Sequence, residues 1–188
     1  AFVVANDYRR GNMKPTVFRT TDFGKTWTNI LEDKKVIGYA LCVLQDPTQP
    51  NLIFVGTEQG LWISLDNAAT FQQFKNEYPS VSTYDLAIQE RENDLVIATF
   101  GRALYVLDDI GGLRKAAANM GKVFSNKVTV FNAPAGYQAH RKNAMGIEYS
   151  VWGTYEGENK KSGLPISFFV QKAASDTGKN AIGDTAML

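Results

Sequence analysis

One tripartite spacing constrains this chain more than any other feature. A hydroxyl residue, an acid two positions on, a small residue two further and a Thr-aromatic pair close a short turn at Thr20, Asp22, Gly24, Thr26 and Trp27. The same order returns at Ser64, Asp66, Ala68, Thr70 and Phe71, 44 positions later. A third acid, Asp109 in "LYVLDDIGG", stands 43 beyond Asp66. A fixed period of this size is the mark of a repeat architecture, in which each unit buries its apolar face against the next.

The segments between the turns repeat in step. "NLIFVGTEQGLWIS" aligns with "DLVIATFGRALYVL", and "LCVLQDP" with "LAIQERE". These runs are rich in Val, Ile, Leu and aromatics and are bounded by Gly, Asp, Asn and Pro, which predicts short strands joined by tight turns. One unit gives four: an inner strand at 41–45, a second at 52–56, a third at 61–65 and an outer one at 71–74. Four short strands every forty to fifty residues is the pattern of a propeller blade, and the segments lack the 3.6-residue period of a helical repeat.

The motif "TTDFGKTW" resembles the Asp box of sialidase and BNR-repeat propellers. The wider stretch from "PTVFRTTDFGKTW" to "DLVIATFGRALYVLDD" resembles the bacterial branch of the sortilin/Vps10-like propellers, proteins often labelled only as BNR-repeat glycosyl hydrolases. The resemblance covers residues 1–115. It implies an all-β fold: about two and a half four-stranded blades at the C-terminal end of an Asp-box β-propeller. In the second box Ala68 and Ala69 replace the usual glycines, and the third keeps only its acid. The bare opening "AFVVAND" reads as the inside of a strand, so the chain is expected to be a piece of a longer protein whose remaining blades would be its partners.

The box residues themselves are expected to be structural. Gly24 provides a positive φ, the Asp22 carboxylate can accept turn N–H groups, and a Thr hydroxyl can close the loop. Trp27 is expected to bury its ring between blades. In the second copy Ser64, Asp66, Thr70 and Phe71 take the same parts. A half-worn second copy also argues against a catalytic acid.

If boxes occupy one end of the blades, ligands belong at the other. That end would comprise residues 6–15, 56–60 and 100–103, with the connections 32–39 and 76–84. It carries Tyr8, Arg9, Arg10, Lys34, Tyr39, Glu58, Tyr78, Tyr84 and Arg102 as candidate binding residues, Arg102 pointing toward a central channel or pairing with Glu58. Tyrosines mixed with arginines suit a binding surface.

Catalytic constellations are thin. His140 is the sole histidine, in a polar stretch where no Ser–His–acid arrangement can be argued from spacing, and a zinc site would want several His or Cys. Glycoside hydrolysis needs two carboxylates across a sugar bond, and Glu32, Asp33, Glu58 and Glu77 offer no preferred pair. Asp108 and Asp109 do not match an EF-hand spacing. No cofactor or metal is expected. With 20 basic and 19 acidic residues, net charge +1, nothing asks for nucleic acid, and no apolar run is long enough to span a membrane. The lone Cys42, in "YALCVLQD", excludes intramolecular disulfides and is expected to be an inert core thiol.

The period stops after about residue 122. A helix is expected at 113–118, then a linker and flank-packing segment (116–164) in which Trp152 and Tyr155 cover the propeller's side. "NKVTVFNAP" and "LPISFFVQK" each read as one strand. "TYEGENKKSGLPISFFV" resembles the join to an Ig-like β-sandwich, of which 165–188 would be the truncated start. The leading expectation is a non-catalytic binding or scaffold module of an exported, extracytoplasmic protein, taking peptide or glycan on the loop face. The alternatives are a glycoside hydrolase of sialidase or xyloglucanase type with its catalytic residues on other blades, and a Vps10/sortilin-like peptide receptor.

Overall fold

The computed structural model describes residues 1–32, 34–136 and 163–171. Asp33, His140, Trp152, Tyr155 and most of the expected linker and final segment lie outside the described residues. The described chain is mostly β, in antiparallel sheets with one α-helix, in accord with the all-β expectation. No helix among the described residues is long and apolar enough to cross a membrane.

Three sheets follow the repeat. The first contains β1 (Phe2–Asp7), β2 (Asn12–Arg19) and β3 (Thr28–Asn29). The second contains β4 (Ala40–Gln45), β5 (Ile53–Thr57), β6 (Gly60–Ser64) and β7 (Gln72–Gln73). The third contains β8 (Thr83–Gln89), β9 (Asp94–Thr99) and β10 (Leu104–Leu107). Within each sheet the strands pair in chain order, every pair antiparallel. Inner and middle strands lie within about a residue of their expected bounds, but the outer strands β3 and β7 are only two residues long.

Alternation explains the packing. On β5 and β6, Phe54, Leu61 and Ile63 turn toward the third sheet, where they meet Leu86, Leu95 and Ile97. Ile53, Val55 and Trp62 turn toward the first sheet and meet Val17 and Ile30. The second sheet is therefore covered on both faces, and every residue of β5 and β6 is buried. Full burial of a side chain such as Phe54 is worth about 2 kcal/mol. Gly56 shows how closely the inner strands approach: a Cβ there would lie 2.6 Å from the Thr83 carbonyl oxygen and would collide with the Cys42 sulfur. The Cys42 thiol, which donates to that same carbonyl at 3.6 Å, is pushed up to about 12 by burial, with the charge of Asp85 adding to the rise.

The two box turns have one hydrogen-bond pattern. Thr20 Oγ1 donates to Asp22 Oδ1 and Ser64 Oγ to Asp66 Oδ1, both at 2.8 Å. Gly24 N donates back to Thr20 Oγ1 at 2.8 Å, and Ala68 N to Ser64 Oγ at 2.9 Å. Thr26 then donates from N and Oγ1 to Asp22 at 2.9 and 2.6 Å, as Thr70 does to Asp66 at 2.8 and 2.6 Å. The left-handed backbone is common to both: φ is 60° and 87° at Phe23 and Gly24, 57° and 70° at Asn67 and Ala68. Trp27 departs from its expected place. It is 44% exposed, and its indole N–H donates to the Gly24 carbonyl at 3.2 Å. Phe71 is half-buried against the core between the first two sheets.

The third turn breaks the pattern because Leu107 occupies the place of the serine hydroxyl. The Asp109 carboxylate instead accepts from Gly111 N at 3.0 Å, and the chain enters α1 (Gly111–Ala118), which begins two residues before its expected start. Helix α1 lies across the turn ends of the second and third sheets. Arg114 donates from Nε to Asp46 Oδ2 at 2.7 Å and from Nη1 to Asn93 Oδ1, and Asn51 Nδ2 donates to the Ala117 carbonyl at 3.2 Å. Beyond it, β11 (Val128–Val130) and β12 (Phe168–Val170) pair antiparallel with each other, so the strand read in "LPISFFVQK" finds its partner in the earlier "NKVTVFNAP".

Candidate functional site

Antiparallel order puts the β1–β2, β5–β6 and β9–β10 turns at one end of the three sheets, together with the starts of β4 and β8. The box turns lie at the other. The sheets stand side by side, β1 against β4 and β4 against β8. At the first end, polar contacts stitch the loops into a continuous rim. Asn6 Nδ2 donates to the Ala40 carbonyl at 3.4 Å, and Glu58 N to the Tyr39 carbonyl at 3.1 Å. Ser82 Oγ donates to the Glu58 carbonyl at 3.2 Å, and Phe100 N to the Ser82 carbonyl at 2.9 Å. The Ala40 and Glu58 carbonyls are thereby satisfied from the neighbouring sheet, and the Glu58 and Phe100 amides within their own.

Aromatic rings stand on this rim. Tyr8, in the 3-10 turn Tyr8–Arg10, stacks on Tyr39 with centroids 4.7 Å apart and planes 14° from parallel. The Arg9 guanidinium lies 5.9 Å from the Tyr8 centroid and hydrogen-bonds its hydroxyl, which raises the Arg9 pKa further. Burial pushes the Tyr39 hydroxyl up, and the charges of Glu58, Tyr8 and Tyr84 add to it. Tyr84 and Phe100, centroids 5.8 Å apart, form a second pair across β8 and the β9–β10 turn; they are 53% and 73% exposed. The Arg10 Nε is 3.9 Å from Asp7 Oδ1 on the surface, a contact that solvent screens. Arg102 is exposed and makes no ion pair among the described residues, with Glu58 or otherwise.

Two candidates are not at this surface. Tyr78 is 5% exposed and belongs to the core between the second and third sheets; its hydroxyl is 2.6 Å from Thr83 Oγ1 and its ring meets Tyr105 edge-on. Lys34 reaches the box end, donating from Nζ to the Ala69 carbonyl at 2.6 Å. Phe100 was not singled out in the sequence, although an aromatic in a turn otherwise built of Gly and Arg is the kind of exposed apolar residue that marks a contact surface.

Neither the rim nor the box turns bring together, among the described residues, the acids weighed for hydrolysis. Of the acids weighed for hydrolysis, Glu58 is half-buried on the rim, and Glu32 and Glu77 are exposed. The box carboxylates are saturated by their own turns. Hydrogen bonds from the Thr26 side chain and backbone, then from Thr20, hold Asp22 down at about 2. Burial pushes Asp66 up, but Thr70 and Ser64 outweigh it and leave the pKa below the usual carboxylate range. Among the described residues, no group of three or more His, Cys, Asp or Glu is placed to hold a metal ion.

The vacuolar protein sorting/targeting protein 10 of Phaeosphaeria nodorum is 28% identical to this chain over an alignment of 102 residues that covers 49% of this chain and 7% of that protein. This chain is thus similar to a Vps10 sorting protein over about half its length. It spans only a small part of that much longer relative. No family model matches the chain, and no solved structure matches it.

Proposed function

We propose that this chain is the C-terminal part of a Vps10/sortilin-like Asp-box β-propeller and that it binds a ligand without transforming it. Each of the first three sheets supplies one blade, complete in the second and partial in the first and third. Residues 1–115 form this portion, 116–164 a connection, and 165–188 the start of an Ig-like domain, all within an extracytoplasmic protein. The remaining blades of the parent chain would cover the outer faces of the first and third sheets, where Val3, Leu104 and Val106 are about half exposed or more.

The observation that carries the binding reading is the rim: four rings from three sheets, joined by inter-sheet hydrogen bonds and flanked by Arg9, Arg10 and Arg102, at the end opposite the self-satisfied boxes. Rigid aromatics present large contact area at little entropic cost, and guanidinium groups add directional donors. The ligand is a peptide or a glycan. Similarity to a sorting/targeting protein favours the more specific form, a peptide receptor.

The test is binding of peptide libraries and glycan arrays to the full-length parent, beside an Arg9→Ala, Tyr84→Ala double variant. Peptide binding without turnover, weakened about tenfold or more by loss of the two contacts, is expected. Turnover of a glycan would replace this reading with the hydrolase. Binding indifferent to the double variant would move the ligand off this rim.

A further inference from the structure

The inner strands of the second and third sheets share an irregularity at the rim. Ala40 pairs with Thr57 and Cys42 with the adjacent Gly56, so Leu41 is one residue too many on β4. Thr83 pairs with Thr99 and Asp85 with the adjacent Ala98, which makes Tyr84 the extra residue on β8. A bulge of this kind takes a side chain out of the strand's alternation and re-aims it. In each case the carbonyl just before the bulged residue accepts a hydrogen bond from the preceding sheet. Asn6 Nδ2 donates to Ala40 at 3.4 Å, and Cys42 Sγ to Thr83 at 3.6 Å. The bulges differ in what they present: Leu41 is half-buried, and Tyr84 is exposed beside Phe100.

The third-sheet bulge has a hold that the second lacks. Where β4 has Ala40, β8 has the buried Thr83, whose hydroxyl is 2.6 Å from that of Tyr78. Thr83 Oγ1 donates to the Val81 carbonyl at 3.4 Å, which leaves Tyr78 as the donor of the shorter bond. The Tyr78 ring is itself fixed, edge-on to Tyr105 with centroids 5.0 Å apart and 6.1 Å from Phe74. On the other side, the Thr83 carbonyl and methyl press on Gly56, where no Cβ fits. The neighbouring Ser82 accepts from Phe100 N at 2.9 Å and donates from Oγ to the Glu58 carbonyl at 3.2 Å. Both rings of the exposed pair therefore hang on the Ser82–Thr83 backbone, Phe100 by its N–H and Tyr84 by the bulge. A ring already held in place binds without the ordering cost that a free one incurs.

We infer that Tyr78 is a positioning residue for ligand recognition: from the core, through Thr83, it sets the bulge that presents Tyr84 beside Phe100. The inference rests on the reading of the rim as the binding surface. Tyr78 touches no ligand, and its hydroxyl, not its ring, carries the effect.

The test is fluorine NMR of the full-length parent carrying 3-fluorotyrosine at position 84, with a second sample labelled at position 8, in the first sheet, as reference. Tyr78→Phe keeps the ring against Phe74 and Tyr105 and removes only the hydroxyl. It is expected to shift and broaden the signal from position 84 and to leave that from position 8 in place. Thr83→Ser retains the hydroxyl and should leave both signals in place. Thr83→Val removes the same bond from the other side, should reproduce the effect, and keeps the test decisive if Tyr78→Phe fails to fold. In a second arm a random peptide library and a glycan array are bound to the same protein. Affinity for the peptides or glycans so selected should fall about threefold to tenfold in Tyr78→Phe, the ordering cost of one ring. A signal at position 84 that neither Tyr78→Phe nor Thr83→Val moves overturns the inference, as does an equal change at position 8, which marks a general loosening. Binding weakened by Tyr84→Ala but not by Tyr78→Phe overturns it and leaves the rim reading standing. Binding indifferent to Tyr84→Ala, or no binding at all, overturns both.

Discussion

The two ends of the same three sheets differ in what their turns leave free. At the box end, each turn is closed by its own residues: Asp22 and Asp66 spend their lone pairs on neighbours two to four positions away. At the rim, locally closed turns also bond to the neighbouring sheet, Asn6 to Ala40 and Ser82 to Glu58, and rings and guanidinium groups are left facing solvent. Local closure makes a turn robust and chemically mute. Closure between sheets positions side chains that local sequence has not committed, which is what a binding surface requires. Stability should therefore be concentrated at the box end and ligand recognition at the rim.

The comparison is tested hardest at Asp46, the buried acid of the β4–β5 turn. It accepts from Arg114 Nε and from Thr48 N, Thr48 Oγ1 and Gln49 N at 2.7–2.8 Å. Asp46→Ala leaves Arg114 buried without its counter-charge, and a loss of about 3 kcal/mol is expected in chemical denaturation. A loss below about 1 kcal/mol would break the claim that this end carries the stability.

Acid should act at the same end. Asp22 is held at about 2 by Thr26 and Thr20. Burial raises Asp46 and Asp66, but their hydrogen-bond partners outweigh it and leave both lowered. A carboxylate depressed in the folded state contributes stability above its unfolded pKa of about 4 and loses it as pH falls through the folded value. Melting temperature should be level from pH 7 to about 5 and drop toward pH 2, with a smaller drop in Asp22→Asn. An unchanged drop in that variant would remove the first box from the account.

A reciprocal exchange sharpens the comparison between the boxes themselves. Gly24 and Ala68 share the left-handed conformation, at φ 87° and 70°. Gly24→Ala adds strain with nothing gained but a distant Trp27 contact, so a loss of about 1 kcal/mol is expected. Ala68→Gly relieves comparable strain but gives up a buried methyl worth about 0.8 kcal/mol, so its effect should stay within about 0.5 kcal/mol. Equal and opposite effects would mean that the Ala68 methyl contributes nothing to the core. At the rim, Tyr84→Ala should move stability by less than about 0.5 kcal/mol, since its ring is more than half exposed.

What the sequence could determine alone was whatever depends on neighbours in the chain. Alternation of Ile53, Phe54 and Val55 writes a strand with two apolar faces, and the spacing from Thr20 to Thr26 writes a turn that needs no outside partner. The rest waited on contacts between residues far apart. Tyr78 reads as a surface tyrosine until Thr83 and Tyr105 enclose it, and Lys34 reads as a rim cation until it meets the Ala69 carbonyl at the opposite end. Leu107 illustrates both: its substitution for a hydroxyl is plain in the sequence. Only the tertiary structure turns that loss into a helix pinned by Asp46, because Asp46 lies 68 positions from the Arg114 that it holds.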